Sequence, residues 1–518
     1  MQRSHGDAER LILGEEEVNV ERFGARAGAA SREDARLTLI NKFLGPGKFG
    51  KMFPKAAPFR PSDEALINLG LAMRDAQFED PTLNNSLIPA GFTYLGQFID
   101  HDLTFDKTVG FPQIDDPELI EQARTPTLDL DSLYGLGPKL QPELYDPAAP
   151  LDGAMFKIGK TAAAPSSGGQ GAPDIPGSMP HDLPRNGQTA IIGDPRNDEN
   201  LVVAQTHLAF LKFHNRLMMN QPQSGGKKSS KSKPVDKQLS FMKAKQLVTW
   251  HYQWIVFNDF VARIIDPKVF ADIRTNGRKF YKFSGRPFMP LEFSVAAYRL
   301  GHSMIRETYN YNRVFSTDPG ALTVATLGLL FRFTGGGGSA PIPSNWIIDW
   351  RRFFAVGDPK LLNITRKIDT RLIPQLHQLP GFTPPEPNSL AVRNLLRGSR
   401  VGLPSAQDVA KIMGVKPMTP AELTLGTEGS IVRQHGFDKK SPLWFYILKE
   451  ASILGQGKRL GPVGSRIVGE VFVGLLEGDP NSFISKQPKW KPTLPAATPG
   501  NFTMADLLRV VNELNPIG

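Results

Sequence analysis

Apolar residues recur at helical spacing along much of the chain. Between Leu201 and Met219 they fall three or four positions apart and form one stripe of a helix. Residues 238–265 continue this spacing. Both segments therefore predict long helices. The stripe in the first of them consists of Val203, His207, Phe210, Leu211, His214 and Leu217.

The C-terminal segment carries a helix-start signal. Thr503 is followed three residues later by Asp506 and then by an apolar run, which is the arrangement of a capping box. Alternating apolar and polar positions, the pattern of a half-buried strand, are sparse along the chain. We therefore expect a mainly α protein with little β structure.

Two segments interrupt the helical pattern. Residues 161–185 are rich in Ala, Pro, Ser and Gly, and residues 221–237 are rich in Ser, Gly and Lys. Neither composition can bury enough apolar surface to offset the entropy lost on ordering. We expect both to be flexible loops of a single large domain covering residues 65–518, with residues 1–64 as an N-terminal extension packed on that domain.

Length and composition narrow the class of protein. The chain has 518 residues and no cysteine, which excludes a disulfide framework, thiolate catalysis, iron–sulfur clusters and cysteine-bound zinc. The N-terminal residues contain no apolar run of signal-peptide length. The most apolar stretch, residues 321–331, is about half as long as a membrane span. We expect a soluble protein that is either cytoplasmic or exported without a standard signal peptide.

The net charge of +10 is partly local. Residues 227–237 contain five Lys and one Asp, and such a run is typical of a solvated loop. Binding to a nucleic acid or another polyanion is the alternative. The chain has no aromatic interleaving, zinc knuckle or RNP-like segment to support it, so we expect no nucleic-acid partner.

Residues 94–106 contain the first candidate site. Gln97 and His101 lie four positions apart and share one face of a helix, whereas Asp102 points roughly 100° away from His101. An amide and an imidazole can therefore face one pocket while a carboxylate faces a second site. A capped helix with a hydrogen-bonded core histidine is the alternative.

Two later segments add further candidates. Arg196 and Glu199 are three positions apart and share a face if that segment is helical, although a surface ion pair explains the same spacing. Gly301 precedes His302 in an apolar context, and a glycine there lets a bulky group approach the backbone. A structural histidine is the alternative reading of His302.

The three segments together closely resemble the mammalian-type haem peroxidases of the peroxidase–cyclooxygenase superfamily, the group of myeloperoxidase and lactoperoxidase. The resemblance covers roughly residue 65 to the C-terminus, and we expect a bacterial member of the family. It implies a helical domain that binds haem b and calcium, reduces hydrogen peroxide and oxidises a halide, thiocyanate or a small organic donor. Its motifs, in family order, are GQFIDHDLTFD, TPTLDLDSLYG, GDPRNDEN with a later H and HNR, YRLGHS and NLLRGSRVGLP.

The resemblance assigns catalytic roles to three residues. His101 matches the distal histidine, the base that moves the peroxide proton. Arg196 matches the distal arginine, the cation that stabilises charge on the departing oxygen. Gln97 matches the distal glutamine, which hydrogen-bonds pocket water near the halide position.

The resemblance also places the haem iron. His302 matches the proximal histidine ligand, and Asn394 matches the asparagine expected to accept the second N–H of that histidine. Arg397 matches an arginine paired with a haem propionate. Arg299, three residues before the ligand, also fits the peroxidase pattern.

Two carboxylates fall on positions that esterify the haem methyl groups in the vertebrate enzymes. These are Asp100 and Glu199, so covalent attachment of the haem is expected to be possible. The vertebrate sulfonium link comes from a methionine directly after the glutamate, and this chain has Asn200 there. We expect no sulfonium and therefore a weak case for chloride oxidation.

A calcium site follows from the same resemblance. The family motif maps onto Thr125, Thr127 through its carbonyl, Asp129, Asp131 and Asp102. Asp131 replaces a serine but still supplies oxygen, the ligand atom that Ca²⁺ prefers. Because Asp102 follows His101 directly, the ion would hold the catalytic histidine in place.

His207 and His214 lie seven positions apart on one helical stripe, a spacing that resembles a metal pair. In the family this segment packs as a core helix beneath the haem. We therefore expect structural roles for both histidines.

The sequence allows two alternatives to a peroxidase. A fatty-acid dioxygenase of the same superfamily carries a radical-forming tyrosine three residues before the proximal histidine, where this chain has Arg299, and Tyr298 is one residue away from that position. A non-catalytic binding protein on the same fold would be expected to lose His101 or Arg196, and both are present. Peroxidase activity is the favoured hypothesis.

Overall fold

The structure is a computed structural model that describes residues 10–13, 16–19, 47–76, 80–106, 112–114, 116–120, 122, 124–149, 154–164, 175–219, 237–379 and 387–518. Of the predicted basic loop 227–237, all but Lys237 lies outside the described residues. The same holds for residues 165–174 of the predicted loop 161–185.

Helices dominate the described residues, so the prediction of a mainly α protein is confirmed. Residues Ile255–Val261 and Glu292–Ala296 widen into π-helix, and Pro195–Asp198 and Ala297–Leu300 form 3₁₀ turns. The α-helices in chain order are α1 Asp63–Ala72, α2 Gly91–Leu103, α3 Asp131–Tyr134, α4 Leu201–Met219, α5 Lys237–Trp254, α6 Ala262–Ile264, α7 Pro267–Asn276, α8 Gly301–Met304, α9 Leu327–Arg332, α10 Leu390–Arg400, α11 Ala406–Ile412, α12 Pro420–Leu423, α13 Gly429–Gln434, α14 Leu443–Ile453, α15 Pro462–Gly478, α16 Phe483–Lys486 and α17 Met504–Val511.

The strands of the described residues are short and pair two by two. The pair Phe49–Gly50 and Met289–Pro290 runs parallel, and the other pairs are antiparallel. The antiparallel pairs are Arg10–Leu13 with Glu16–Asn19, Asn84–Pro89 with Ile364–Arg366, Arg185–Asn186 with Thr189–Ala190, and Thr308–Tyr309 with Ala325–Thr326. None of the described helices is long and apolar enough to cross a bilayer. The strands are β1 Arg10–Leu13, β2 Glu16–Asn19, β3 Phe49–Gly50, β4 Asn84–Pro89, β5 Arg185–Asn186, β6 Thr189–Ala190, β7 Met289–Pro290, β8 Thr308–Tyr309, β9 Ala325–Thr326 and β10 Ile364–Arg366.

α4 lies at the centre of the core. The predicted helix has the bounds Leu201–Met219, but almost all of its residues are buried, not only one stripe. The reason is that α2, α5 and α17 pack against it. Phe98 of α2 stacks on Phe210 of α4 with ring centroids 4.8 Å apart, so the two helices are held face to face.

The other two predicted helices also form. Residues 238–265 fold as α5, a π-helical stretch and α6, a break in regularity that helical spacing alone does not predict. At α17 the backbone N–H of Asp506 donates to the Thr503 hydroxyl (3.3 Å), and the N–H of Thr503 donates to the Asp506 carboxylate (3.0 Å). The predicted capping box is therefore confirmed.

The ends of the predicted loop 161–185 are better buried than its composition suggests. Thr161, His181, Asp182 and Leu183 are all buried. The carboxylate of Asp182 accepts hydrogen bonds from Arg185 at 3.0 Å, which offsets the cost of burying the charge. These ends are thus buried through polar contacts, which an argument from apolar surface alone does not count.

Candidate functional site

Helix α2 and the turn Pro195–Asp198 bring together the residues that we call the distal cluster: Gln97, His101, Arg196 and Glu199. Gln97 Nε2 donates to Glu199 Oε2 at 3.3 Å. His101 Nε2 lies 4.0 Å from the same oxygen. Two motifs that are distant in sequence thus meet in one place.

His101 is buried and neutral. Its Nδ1 lies 2.9 Å from Asn197 Oδ1. Burial, reinforced by the charge of Arg196, lowers the pKa of His101 to about 3. Because a carbonyl oxygen can only accept, His101 carries its proton on Nδ1 and presents the lone pair of Nε2 to the distal cluster.

Arg196 is fixed beside His101. Its Nη2 donates to the backbone oxygen of His101 at 2.9 Å and to Asp194 Oδ2 at 2.7 Å, and its guanidinium lies 4.2 Å from the ring centroid of Phe105. Burial alone would raise the pKa of Asp194, but the hydrogen bonds and charge of Arg196 lower it to about 2. The arginine therefore has an ionised carboxylate as its anchor.

Arg124 ties this anchor to a second group of carboxylates. Its Nε donates to Asp194 Oδ2 at 2.9 Å, and its Nη2 donates to the backbone oxygen of Gly193 at 3.0 Å. Its Nη1 lies 3.4 Å from Asp131 Oδ1. The sequence analysis missed this residue, for which the only signal was its position directly before the Thr125 motif.

The carboxyl groups of Asp100 and Glu199 each accept a hydrogen bond from a side chain. The Thr104 hydroxyl donates to Asp100 Oδ1 at 3.1 Å, and burial raises the pKa of Asp100. Glu199 keeps 52% of its side chain exposed, and its partial burial raises its pKa to about 7. Asn200 Nδ2 donates to Gln97 Oε1 at 2.8 Å, so the residue in the methionine position orients the glutamine.

His302 lies on α8, which contacts α2. The chain reaches it through the π-helical stretch Glu292–Ala296 and a kink at Arg299 (φ −78°, ψ 19°). Asn394 Nδ2 lies 2.8 Å from His302 Nδ1, and Arg299 Nη1 donates to Asn394 Oδ1. Arg299, Asn394 and His302 thus form a hydrogen-bonded series.

The side-chain amide of Asn394 has a different orientation from the one that the sequence predicts. Asn394 was expected to accept a hydrogen bond from His302, but Arg299 occupies its oxygen, so Asn394 presents its nitrogen to Nδ1. A half-turn of the amide about its Cβ–Cγ bond would restore the acceptor. Asn394 therefore lies beside His302 as predicted, and Arg299 sets the orientation of its amide.

The surroundings of His302 fit a haem ligand. Burial lowers the pKa of His302 to about 3, so the imidazole is neutral. A Cβ at Gly301, the residue before His302, would meet no heavy atom within 4 Å. As an axial iron ligand His302 needs a lone pair on Nε2. The half-turn of the Asn394 amide provides it, because Nδ1 then carries the ring proton and donates to the amide oxygen.

Arg397 was expected to face a propionate, and in the structure it pairs with Asp106. Its Nη1 is buried and has no hydrogen-bond partner among the described residues. A buried guanidinium N–H without an acceptor is costly. That free donor fits an anionic group such as a haem propionate.

Asp102, Asp129 and Asp131 form what we call the carboxylate triad. One ligand oxygen from each lies within 4.8 Å of the others. Burial and the charge of Asp129 raise the pKa of Asp102 to about 7 and that of Asp131 well above its ordinary value. Asp131 Oδ1 has no hydrogen-bond partner in the described part of the chain. Crowded oxygens of this kind fit a hard divalent cation.

Hydroxyl groups surround the triad. Those of Thr125 and Thr127 donate to Asp129 Oδ2 at 2.9 and 2.8 Å. The hydroxyl of Ser132 donates to Asp102 Oδ1 at 3.0 Å, a contact that the sequence analysis missed. Side-chain oxygens from every residue of the predicted calcium motif thus lie close together. For Thr127 this oxygen is the hydroxyl, whereas the sequence predicts its carbonyl.

The sequence profile of the animal haem peroxidase family matches residues 116–480. A peroxidase-like protein of Margaritifera margaritifera is 29% identical over 148 residues, which are 27% of this chain and 17% of that protein. The chain therefore matches only a small part of the length of this relative.

Solved structures share the fold. Peroxidase A from Dictyostelium discoideum has a TM-score of 0.60 at 15% identity, over 91% of this chain and 94% of that one. The fatty acid alpha-dioxygenase of Oryza sativa has a TM-score of 0.55 at 12% identity, over 96% and 91%. At these identities the likeness describes the fold and leaves the choice of chemistry to the residues of the site.

Proposed function

The chain belongs to the animal haem peroxidase family, and from that premise we propose that it is a haem-dependent peroxidase that reduces hydrogen peroxide and oxidises a small electron donor. The observation that carries the proposal is the juxtaposition of neutral His101 and Arg196, whose Nη2 donates to the backbone of that histidine at 2.9 Å. Cleavage of peroxide requires a base and a fixed cation side by side.

Each residue of the site has its own role in the proposed reaction. His302 would hold the haem through Nε2, and Arg397 would bind a propionate through its free Nη1. The bound haem supplies the iron at which the peroxide bond is cleaved. His101 Nε2 takes the proton from the nearer peroxide oxygen and returns it to the departing one, while Arg196 stabilises the negative charge on the departing oxygen. Gln97 hydrogen-bonds the water or halide beside them.

The choice of donor follows from Asn200. It lies where a sulfonium-forming methionine stands in the vertebrate enzymes, and its side chain donates to Gln97. Without the electron-withdrawing sulfonium, chloride is the least favourable donor. Thiocyanate, the heavier halides and small organic molecules are the donors that we propose.

We assign the second cofactor, calcium, to the carboxylate triad with Thr125 and the carbonyl of Thr127. The Asp131 oxygen that lacks a hydrogen bond among the described residues, and the raised pKa values of Asp102 and Asp131, support this assignment. Because Asp102 follows His101 on α2, the cation would also restrain the catalytic base.

A fatty-acid dioxygenase is the second candidate, since enzymes of that kind share the fold. Arg299 occupies the position of the radical tyrosine. Tyr298 points away from such a role, because its hydroxyl donates to Gly96 O at 3.2 Å and its ring stacks on Phe293 at 4.7 Å. These contacts favour the peroxidase.

The test uses the full chain loaded with haem and compared with His101→Gln. At fixed peroxide, thiocyanate, iodide, bromide, chloride and a small phenol are offered as donors, and oxygen uptake is measured separately with palmitic acid. We expect donor oxidation that His101→Gln lowers by about 100-fold. The control His435→Gln, at a histidine bonded to Asn68, should leave it unchanged. Oxygenation of palmitic acid without donor oxidation would favour the dioxygenase, and failure to bind haem would reject both.

A further inference from the structure

His207 lies in the middle of α4 and is completely buried. Its Nδ1 is 3.0 Å from Nδ2 of Asn197, and Oδ1 of the same asparagine is 2.9 Å from Nδ1 of His101. Three side chains from three elements are thus joined in series. The series ends at the base of the distal cluster.

The amide of Asn197 gives the series a direction. Its oxygen only accepts and its nitrogen only donates. His101 therefore holds its proton on Nδ1, and His207 receives a hydrogen bond on an unprotonated Nδ1. If the amide were turned over, Nε2 of His101 would carry the proton and could no longer act as a base.

His214 shows what a structural histidine looks like on the same helix. Its two ring nitrogens are both engaged, Nδ1 with the Tyr134 hydroxyl at 3.1 Å and Nε2 with the backbone oxygen of Ala154 at 3.0 Å. The Nε2 of His207 is buried without a hydrogen-bond partner among the described residues. His207 is thus poorly satisfied as a core residue, and its one described hydrogen bond leads to the residue that holds His101.

We propose that His207 and Asn197 are positioning residues that keep His101 in the tautomer with a free Nε2. The proposal rests on the proposed function of His101 as the proton acceptor. When Nε2 takes a proton, the Nδ1–H of the cationic ring donates more strongly to Asn197, which in turn donates more strongly to His207. The proton itself stays on His101.

Three variants separate this role from simple packing. His207→Leu removes the acceptor from Asn197, so that its amide is free to turn over. His207→Asn retains an oxygen where Nδ1 was and should rescue the orientation. His214→Leu is the matched control, because it removes a buried histidine of α4 that does not contact Asn197.

The first readout is the ¹⁵N spectrum of the histidine rings in the haem-free full chain, with the His101 signals identified by their loss in His101→Gln. We expect the wild type, His207→Asn and His214→Leu to show His101 protonated on Nδ1. His207→Leu should show a mixture of the two tautomers. An unchanged His101 tautomer in His207→Leu, or an equal change in His214→Leu, would overturn the proposal.

The second readout is the rate at which hydrogen cyanide binds to the haem-loaded chain, since the ligand must give its proton to the distal base before the cyanide carbon binds iron. We expect a loss of about 100-fold in His101→Gln, about tenfold in His207→Leu and less than about threefold in His207→Asn. If cyanide binding is slow in His101→Gln but not in His207→Leu, the positioning role is rejected while the proposed function of His101 stands. If His101→Gln also binds at the wild-type rate, the proposed function of His101 fails, and the positioning role fails with it.

Discussion

Arg124 donates from Nε to Oδ2 of Asp194 at 2.9 Å. The same carboxylate holds Arg196 of the distal cluster, and the other end of the Arg124 guanidinium lies 3.4 Å from Asp131 of the carboxylate triad. One arginine, with 10% of its side chain exposed, therefore spans the two parts of the site. Disturbance of the triad is expected to reach the distal arginine through this side chain.

Replacement of Arg124 by Gln should lower the free energy of unfolding by about 3 kcal/mol, because it leaves buried carboxylates with less positive charge around them. The measurement is urea unfolding of the haem-free chain. Arg400→Gln is the control, since Arg400 and Asp63 form a pair with 29% and 49% of their side chains exposed, and its loss should cost less than about 1 kcal/mol. Equal effects of the two substitutions would contradict a special role for Arg124.

Local patterns in the sequence were sufficient to predict the helices and to predict which residues of the site share a helical face. The spacing of Gln97 and His101 predicts a shared face, because both lie on one helix whose period is known. The widening of Ile255–Val261 and Glu292–Ala296 into π-helix has no such local signal. Helical periodicity therefore locates an element more reliably than it describes its regularity.

Contacts between elements were harder to predict from the sequence. The pairing of Arg397 with Asp106 and the orientation of Asn394 by Arg299 depend on which side chains meet across the fold. The link from His207 through Asn197 is of the same kind. A family motif identifies the residues of a site, but it does not say which neighbour takes each hydrogen bond.

The carboxylate triad predicts opposite effects of one substitution with and without calcium. Asp129→Asn removes the charge that raises the pKa values of Asp102 and Asp131, so the metal-free variant should melt higher than the metal-free wild type. Calcium at about 100 times its dissociation constant should stabilise the wild type by about 2.7 kcal/mol and the variant far less. Melting temperatures with calcium and with EGTA measure both effects.

Asp272→Asn is the matched control for the triad. Asp272 is a carboxylate outside the carboxylate triad that accepts hydrogen bonds from Asn276 and Lys279. Its replacement should lower the melting temperature while the response to calcium persists. A wild type that melts at the same temperature in calcium and in EGTA would reject the assigned cation.

Covalent attachment of haem is expected to need Asp100 and Glu199 together with peroxide turnover. After turnover, part of the haem should stay with the wild-type polypeptide in acidified acetone, and the polypeptide mass should rise by one haem. Asp100→Asn and Glu199→Gln should each lower the retained fraction, and the double variant should release all of it. Full extraction from the wild type after turnover would rule out the ester links, without bearing on the binding of haem by His302.

Glu450 lies on α14, and its buried carboxyl group contacts the first residues of α15. Its Oε2 accepts hydrogen bonds from the backbone N–H groups of Val463 (3.0 Å) and Gly464 (3.3 Å), while its Oε1 has no partner among the described residues. Burial outweighs these hydrogen bonds and raises the pKa of Glu450 from 4.5 to about 8. The folded protein therefore holds a proton at Glu450 near neutral pH that the unfolded chain releases.

The sign of the pH effect follows from that proton. A raised pKa in the folded state contributes stability that is complete below about pH 4.5 and is lost as the pH rises through about 8. Glu450→Gln removes this dependence, because the amide does not ionise. We therefore expect the free energy of unfolding of the variant to rise relative to that of the wild type between pH 5 and 9, by at most about 5 kcal/mol. The measurement is urea unfolding at constant ionic strength over this range. A difference between the two proteins that stays constant over this range would mean that Glu450 is already ionised in the folded state, and that the start of α15 stabilises its charge more than burial opposes it.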